Sequence, residues 1–125
     1  MRESNRITEN RLSILLNKLM KLWIRAHGYE KAKASVLEGH ERLVAIIIDD
    51  AFTPAEIHLA NQSESRWLIR EYAEQLIELI KPQMVSCVDE FLGCKVVGYS
   101  INPNLINGSV LCLFQLENQV SERFD

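Results

Sequence analysis

The fold is decided by the sequence RLVAIIIDDAFTPAE, which occupies residues 42–56. Its first part contains the apolar run Leu43–Ile48, which is short and rich in β-branched residues and therefore predicts a buried central strand rather than a helix. Its second part predicts a helix start, because Thr53 can cap the N-terminus, Pro54 suits the first helical position and Glu56 completes a capping box. A buried strand followed closely by a helix indicates a domain in which helices pack on a sheet.

The segments before this stretch predict a helix and a first strand. Residues 8–27 carry apolar side chains at the spacing of an amphipathic helix, with Thr8 placed to cap its start and Gly28 placed to end it. Residues 34–38 predict a strand, and the turn residues 38–41 join it to the central strand as an antiparallel hairpin. The apolar positions of the helix are Leu12, Leu15, Leu16, Leu19, Leu22, Trp23 and Ala26, with Arg11, Lys18, Lys21 and Arg25 mostly on the opposite side.

The segments after this stretch predict a short helix and then a long one. Residues 61–63 are expected to interrupt the helix that starts at Thr53, and Ser63 is expected to cap the longer helix. Pro82 lies inside the long helix and is expected to kink or split it, and Gly93 is expected to end it. The long helix keeps one apolar stripe in phase, formed by Leu68, Tyr72, Leu76, Leu79, Ile80, Met84, Val88, Phe91 and Leu92.

Two further strands complete the prediction. Residues 95–101 predict a third strand, which Pro103 is expected to end, so that residues 102–108 form a loop. Residues 109–116 predict a fourth strand. The resulting order is α-β-β-α-α-β-β, and the predicted fold class is α+β: a four-stranded antiparallel sheet with helices packed on one face and a long, kinked central helix.

Length and composition favour one small domain over residues 1–125 and exclude several function classes. The chain has 14 basic and 17 acidic residues and a net charge of −3, which argues against a general nucleic-acid-binding protein. No apolar run approaches the ~20 residues of a transmembrane segment. The N-terminus has no apolar signal region, so we expect a cytoplasmic protein.

The charges are unevenly distributed along the chain. Residues 1–33 carry a net charge of +5, residues 34–93 carry −7, and residues 94–125 carry −1. The first helix is therefore basic as well as amphipathic, and could contact a membrane surface or a protein partner. The simpler interpretation is that its leucine stripe packs on the core of the domain or on a second copy of the chain.

The sequence lacks the common signatures of catalysis and cofactor binding. The three cysteines, Cys87, Cys94 and Cys112, form no C-x-x-C pair, and the three histidines, His27, His40 and His58, form no metal-binding motif. No phosphate-binding glycine loop and no serine nucleophile motif is present. Asp49 and Asp50 follow a strand and could hold a cation, although a solvated strand end is the more common arrangement. We expect no cofactor, no metal and no enzymatic activity.

Two surface features suggest binding. Both faces of the fourth strand are apolar, so a sheet covered by helices on one side would leave apolar surface exposed, and we expect a homodimer.

The helix start at Thr53 and Glu56 could hold an anion together with Lys31 and Lys33. The simpler interpretation of the helix start is a structural cap alone, with the two lysines in a solvated loop.

The order of these pieces resembles the MpsC-like family of bacterial proteins over about residues 8–117. The resemblance is carried by the Gly28-Tyr29 break, the hairpin that runs into Phe52-Thr53-Pro54-Ala55-Glu56, Arg70 and Pro82 in the long helix, and Phe91-Leu92-Gly93 before the third strand. The family is named for a sodium-linked, membrane-potential-generating system, and the resemblance implies a small soluble component without catalytic residues.

The chain departs from the pattern of that family at two places. The stretch Tyr29–Lys33 lacks the glycine and proline of the family's basic loop, and Asn102 stands where the family often has an acidic residue. The candidate residues for binding a ligand or partner are Lys31, Lys33, Thr53, Glu56, Arg70 and Asn102.

The resemblance and the missing signatures lead to two hypotheses of function. The first is a non-enzymatic adaptor that acts by contact with a protein partner, beside a bacterial membrane complex for ion or carbon uptake. The second is a sensor that binds a small molecule or an anion at the Thr53-Pro54 helix start.

Overall fold

The computed structural model describes residues 9–39 and 42–117 and confirms the predicted order and the α+β class. The capping role predicted for Thr8, and His40 and Glu41 of the predicted turn, lie outside the described residues. The elements are α1 (Glu9–His27), β1 (Lys33–Gly39), β2 (Leu43–Asp49), α2 (Pro54–Ala60), α3 (Arg66–Leu92), β3 (Val96–Asn104) and β4 (Ser109–Leu116).

The four strands form one antiparallel sheet in the order β1-β2-β4-β3. The apolar strand β2 is central, as predicted, and its Ile46 lies opposite Val36 of β1 and Cys112 of β4. Alternate residues of β2 and β4 face the core, where Ile46, Cys112 and Phe114 are fully buried. Cys112 is a small apolar residue of the core, and its burial raises the pKa of its thiol to about 12.

Helix α1 packs its apolar side against α3 and the sheet through Leu15, Leu19 and Trp23, which recur at four-residue spacing. Arg11 continues this spacing, and the prediction that it lies opposite the apolar side is wrong. Its guanidinium is buried and donates a hydrogen bond to the carbonyl of Phe91 near the C-terminus of α3. The partial negative charge at the end of a helix compensates a buried cation there.

Helix α3 runs without a break from Arg66 to Leu92, so of the two alternatives predicted for Pro82, a kink or a split, the split does not occur. Gly93 ends the helix in the left-handed conformation with φ of 67°, as predicted. The residue before the helix is Ser65 rather than the predicted Ser63, and the Ser65 hydroxyl donates to the Leu59 carbonyl instead of capping α3.

The predicted apolar stripe of α3 is correct in its C-terminal half and wrong in its N-terminal half. Ile80, Met84, Val88 and Leu92 are buried, as predicted. In the N-terminal half the buried positions are Ile69, Ala73 and Ile77, whereas Leu68, Tyr72 and Leu79 are exposed.

Strand β3 extends through Pro103 to Asn104, so the predicted loop at residues 102–108 is too long. Pro103 lies opposite Val110 of β4. Because β3 is an edge strand, one side of its backbone has no strand partner, and a residue without an N–H group is tolerated there.

Candidate binding surfaces

A groove between α1 and α3 is the first candidate site, with a volume of about 800 Å³. Its floor contains the half-buried apolar side chains of Leu22 and Phe91, and the exposed Pro82 also lines it. We call it the α1–α3 groove, and it is lined by Lys18, Lys21, Leu22, Arg25, Pro82, Gln83, Ser86, Cys87, Glu90 and Phe91.

The rim of the α1–α3 groove is basic on the side formed by α1. Lys18, Lys21 and Arg25 are exposed and follow one another at three- and four-residue spacing, so they share one side of the helix. The Lys18 ammonium lies 5.6 Å from the centre of the Phe91 ring, within the range of a cation–π contact. Among the described residues of the lining Glu90 is the one acidic side chain, so the groove suits an apolar segment that carries negative charge.

A second candidate site lies at the N-terminal end of α3, beside β3. We call it the α3–β3 cleft, and its volume is about 640 Å³. It brings together two residues predicted from the sequence, Arg70 of α3 and Asn102 of β3. The described residues that line it are Ala60, Asn61, Arg66, Arg70, Glu74, Asn102, Pro103, Asn104, Leu105 and Ile106.

A buried histidine joins α1 to the start of α2. The His27 side chain is 2% exposed, and its Nε2–H donates to the Glu56 carboxylate at 2.9 Å and 3.1 Å. The His27 ring stacks on Trp23 and meets the edge or face of Phe52 and Tyr29. Nδ1 of His27 is buried and has no hydrogen-bond partner within residues 9–39 and 42–117.

The Glu56 carboxylate is the hub of this network. It accepts hydrogen bonds from the Thr53 backbone N–H at 2.8 Å and from His27, and the Tyr72 hydroxyl lies near enough to influence its pKa. Burial alone would raise the pKa of Glu56, but these donors outweigh burial and the pKa is lowered. Burial, together with the nearby Glu56 carboxylate, raises the pKa of Tyr72 to about 12.

Comparison with known proteins bears on what these surfaces serve. A family model described as the Na⁺-translocating membrane potential-generating system (MpsC) matches residues 8–118. The chain belongs to the MpsC family. No curated protein and no solved structure matches this MpsC-family chain. None of the helices described here combines the length and the apolar character needed to cross a bilayer.

The capping box predicted at Thr53 and Glu56 is present in the MpsC-family chain. The Thr53 hydroxyl accepts from the Glu56 backbone N–H at 3.1 Å, while the Glu56 carboxylate accepts from the Thr53 N–H. Both residues are thus engaged with each other, and a carboxylate already occupies the position that an anion would take. Lys31 is exposed between α1 and β1, and Lys33 is exposed as the first residue of β1.

Sequence reasoning missed His27, Tyr72 and Arg66 as members of these sites. His27 was detectable, because it lies four residues after Trp23 and continues the buried spacing of α1. The sequence pattern places Tyr72 in the apolar stripe of α3. Nothing in the sequence reveals that its hydroxyl lies near Glu56 of α2. Arg66 belongs to no motif, so nothing in the sequence distinguishes it from the other charged residues.

The sheet face opposite the core is a third candidate surface, which we call the open sheet face. Ile47 of β2 lies opposite Leu111 of β4, and Ala45 lies opposite Leu113, so its centre is apolar. Of these four, only Ala45 is buried. The edge strands contribute polar residues to the same face, including Ser35 of β1 and Ser100, Asn102 and Asn104 of β3.

Proposed function

We propose that this MpsC-family chain is a non-enzymatic adaptor that works by contact with a protein partner beside a bacterial membrane complex for ion or carbon uptake. It is cytoplasmic and acts as a homodimer. The family description, which names a sodium-translocating, membrane potential-generating system, supports the association with a membrane system.

The observation that carries this proposal is the α1–α3 groove. An apolar floor between two helices, with Lys18, Lys21 and Arg25 along one rim, is the kind of surface on which an amphipathic helix docks. The basic rim selects a partner segment that carries acidic residues, since opposite charges accelerate encounter and suppress wrong partners.

The open sheet face supports the homodimer. Its apolar centre and polar margin follow the usual anatomy of a protein interface. A twofold dimer uses the same patch on both copies, and a sheet face whose two central strands are apolar can pack on its own copy. This arrangement leaves the α1–α3 groove accessible, because the helices pack on the opposite face of the sheet.

The adaptor proposal is tested by binding to vesicles that contain the membrane subunits of the sodium-translocating system. The double variant Lys21→Glu/Arg25→Glu reverses two charges on the rim of the groove. We expect the wild-type chain to sediment with these vesicles and the variant to lose binding by about tenfold or more. The matched control is Arg42→Glu/Lys95→Glu, which changes the net charge equally at two exposed residues outside the groove.

Two results would contradict the proposal. Equal binding of the wild-type chain to protein-free vesicles of the same lipids would show that the partner is lipid rather than protein. Equal loss of binding in the control variant would show that net charge, not the groove, governs association.

The homodimer is tested by light scattering coupled to gel filtration. We expect twice the chain mass of 14.4 kDa for the wild type. The variant Leu111→Lys places a charge in the open sheet face and should yield the single-chain mass, whereas Ser35→Lys at the margin should not. A wild-type mass of 14.4 kDa at all concentrations would exclude the dimer.

A further inference from the structure

We propose that residues 118–125 of this chain dock into its own α1–α3 groove and compete there with the partner segment. We call this stretch, NQVSERFD, the 118–125 segment. The docking follows from the groove and the segment alone, whereas the competition rests on the proposed adaptor function.

The described part of the chain ends beside the groove. Leu116 of β4 lies opposite Val96, the first residue of β3. The Val96 N–H donates to the Asp89 carboxylate in the last turn of α3 at 2.7 Å, and Phe91 of the same turn lines the groove. The 118–125 segment therefore leaves the sheet at the end of α3 that forms the groove.

The eight residues of the 118–125 segment are long enough to follow the groove. An extended chain advances about 3.3 Å per residue, so the segment reaches up to about 26 Å. The α3 side of the groove extends from Phe91 back to Pro82, which is about 14 Å along the helix axis at about 1.5 Å per residue. The segment can therefore cover the groove even when some of its residues are used to turn the chain.

The apolar side chains of the segment match the floor of the groove. Val120 and Phe124 lie four positions apart, so they share one side of the segment whether it is a helix or a strand. The groove offers them the half-buried side chains of Leu22 and Phe91. Removal of the Val120 and Phe124 side chains from water is the main term that favours docking.

The charges of the segment match the rim of the groove. None of the three rim cations, Lys18, Lys21 and Arg25, forms an ion pair within residues 9–39 and 42–117. The segment carries two acidic residues and one basic residue, and is therefore net negative. Opposite charges on segment and rim favour this placement over the acidic parts of the surface.

A groove covered by its own chain regulates access of the partner. The segment is tethered to the same molecule, so its effective concentration at the groove is high. A partner binds only when the groove is open, and its apparent affinity falls in proportion to the fraction of open molecules. The 118–125 segment thus acts as an autoinhibitory element.

Cys87 gives a direct measure of how often the groove is covered. It lines the groove and is half-buried, whereas Cys94 and Cys112 are buried in the core. The experiment measures the rate at which N-ethylmaleimide alkylates Cys87 in the full chain, and peptide mass spectrometry identifies the modified cysteine.

The variant Val120→Ser/Phe124→Ser removes both apolar side chains of the segment without changing its charge. It should raise the alkylation rate of Cys87 by about threefold or more, because the groove is then open for more of the time. The matched control is Asn118→Ser/Gln119→Ser, which changes two polar residues of the same segment and should leave the rate unchanged.

Three results would overturn the docking. They are equal alkylation rates in the wild type and in Val120→Ser/Phe124→Ser, an equal rise in the control variant, and a wild-type rate that rises on dilution of the chain. The last of these would place the segment in the groove of a second copy rather than in its own.

The competition is tested separately, with vesicles that contain the membrane subunits of the sodium-translocating system. Val120→Ser/Phe124→Ser should bind these vesicles more tightly than the wild type, by the same factor by which its alkylation rate rises. Faster alkylation with unchanged vesicle binding would overturn the competition. Faster alkylation with no vesicle binding by either protein would contradict the adaptor proposal and still support the docking, so the two failures are distinguishable.

Discussion

The two halves of α3 present different surfaces although they belong to one continuous helix. From Pro82 to Phe91 the helix lies along α1 and lines a groove with an apolar floor. From Arg66 to Glu74 it lines a cleft whose side chains are mostly charged or polar. One continuous helix thus presents an apolar groove with a basic rim in one half and a mostly polar cleft in the other, at a fixed separation.

The largest expected effect concerns the core positions that anchor the C-terminal half. Met84 is fully buried, so Met84→Ala should lower the free energy of unfolding by about 2–5 kcal/mol through lost contacts and a cavity. Leu79 is 64% exposed, so Leu79→Ala should change it by less than about 0.5 kcal/mol. Urea denaturation measures both, and similar losses would contradict the placement of the two residues.

The boundary between the halves is tested by Pro82→Ala. Proline inside a helix lacks the N–H that would bond the preceding turn, and α3 nevertheless continues through it. Replacement by alanine should raise the free energy of unfolding by about 1–3 kcal/mol. Gln83→Ala, at the exposed neighbouring position, is the control and should shift the urea midpoint little. A loss of stability in Pro82→Ala would show that the packing of the groove requires the proline ring.

The contact between α1 and the end of the C-terminal half is tested by Arg11→Ala. Its buried guanidinium donates to the Phe91 carbonyl, so the variant should lose about 2 kcal/mol of stability. Arg25→Ala, an exposed arginine on the same helix, serves as the control. Thermal unfolding with equal midpoints for the two variants would contradict a structural role for Arg11.

The smallest expected effect concerns the N-terminal half, where the Tyr72 hydroxyl lies near Glu56 of α2. Glu56→Gln should cost about 1 kcal/mol at neutral pH, the usual value of a helix cap. The pKa of Glu56 is lowered from its ordinary value of 4.5, so its stabilisation is complete above that pH and is lost as the pH falls through the folded-state pKa.

Tyr72 has the opposite dependence on pH. Its pKa is raised from 10.0 to about 12, so its contribution is present below pH 10.0 and is lost as the pH rises towards 12.

The acid dependence is the part that tests Glu56. Unfolding curves at a series of pH values should show an acid limb that disappears in Glu56→Gln and persists in Glu71→Gln, an exposed glutamate of α3. An unchanged acid limb in Glu56→Gln would contradict the network.

Local patterns in the sequence predicted much of this architecture. The β-branched run at β2, the capping box at Thr53 and the glycines that end α1 and α3 each act through nearby residues, and each prediction is confirmed. The same holds for the C-terminal half of α3, where Met84 and Val88 show the helical period.

The remaining errors have physical causes that one sequence does not display. In the N-terminal half of α3, Leu68 and Ile69 fit apolar stripes equally well, and only packing against the sheet decides which is buried. Pro103 was expected to end β3, because proline interrupts a strand that is paired on both sides. It is tolerated here because β3 is an edge strand, and the sheet order that places β3 at the edge is not visible in the sequence. The cleft unites Arg70 with Asn102 across 32 positions of sequence, a proximity that follows from the fold alone.

The central claim is that the α1–α3 groove, in the C-terminal half of α3, receives a protein partner. The most direct measurement is photo-crosslinking from a benzophenone amino acid placed at Gln83 in the groove or at Gln75, an exposed glutamine in the N-terminal half. Each variant is mixed with membranes that contain the sodium-translocating system. We predict a covalent adduct with a membrane subunit from position 83 and none from position 75. Adducts from position 75 alone, or from neither position, would contradict the account.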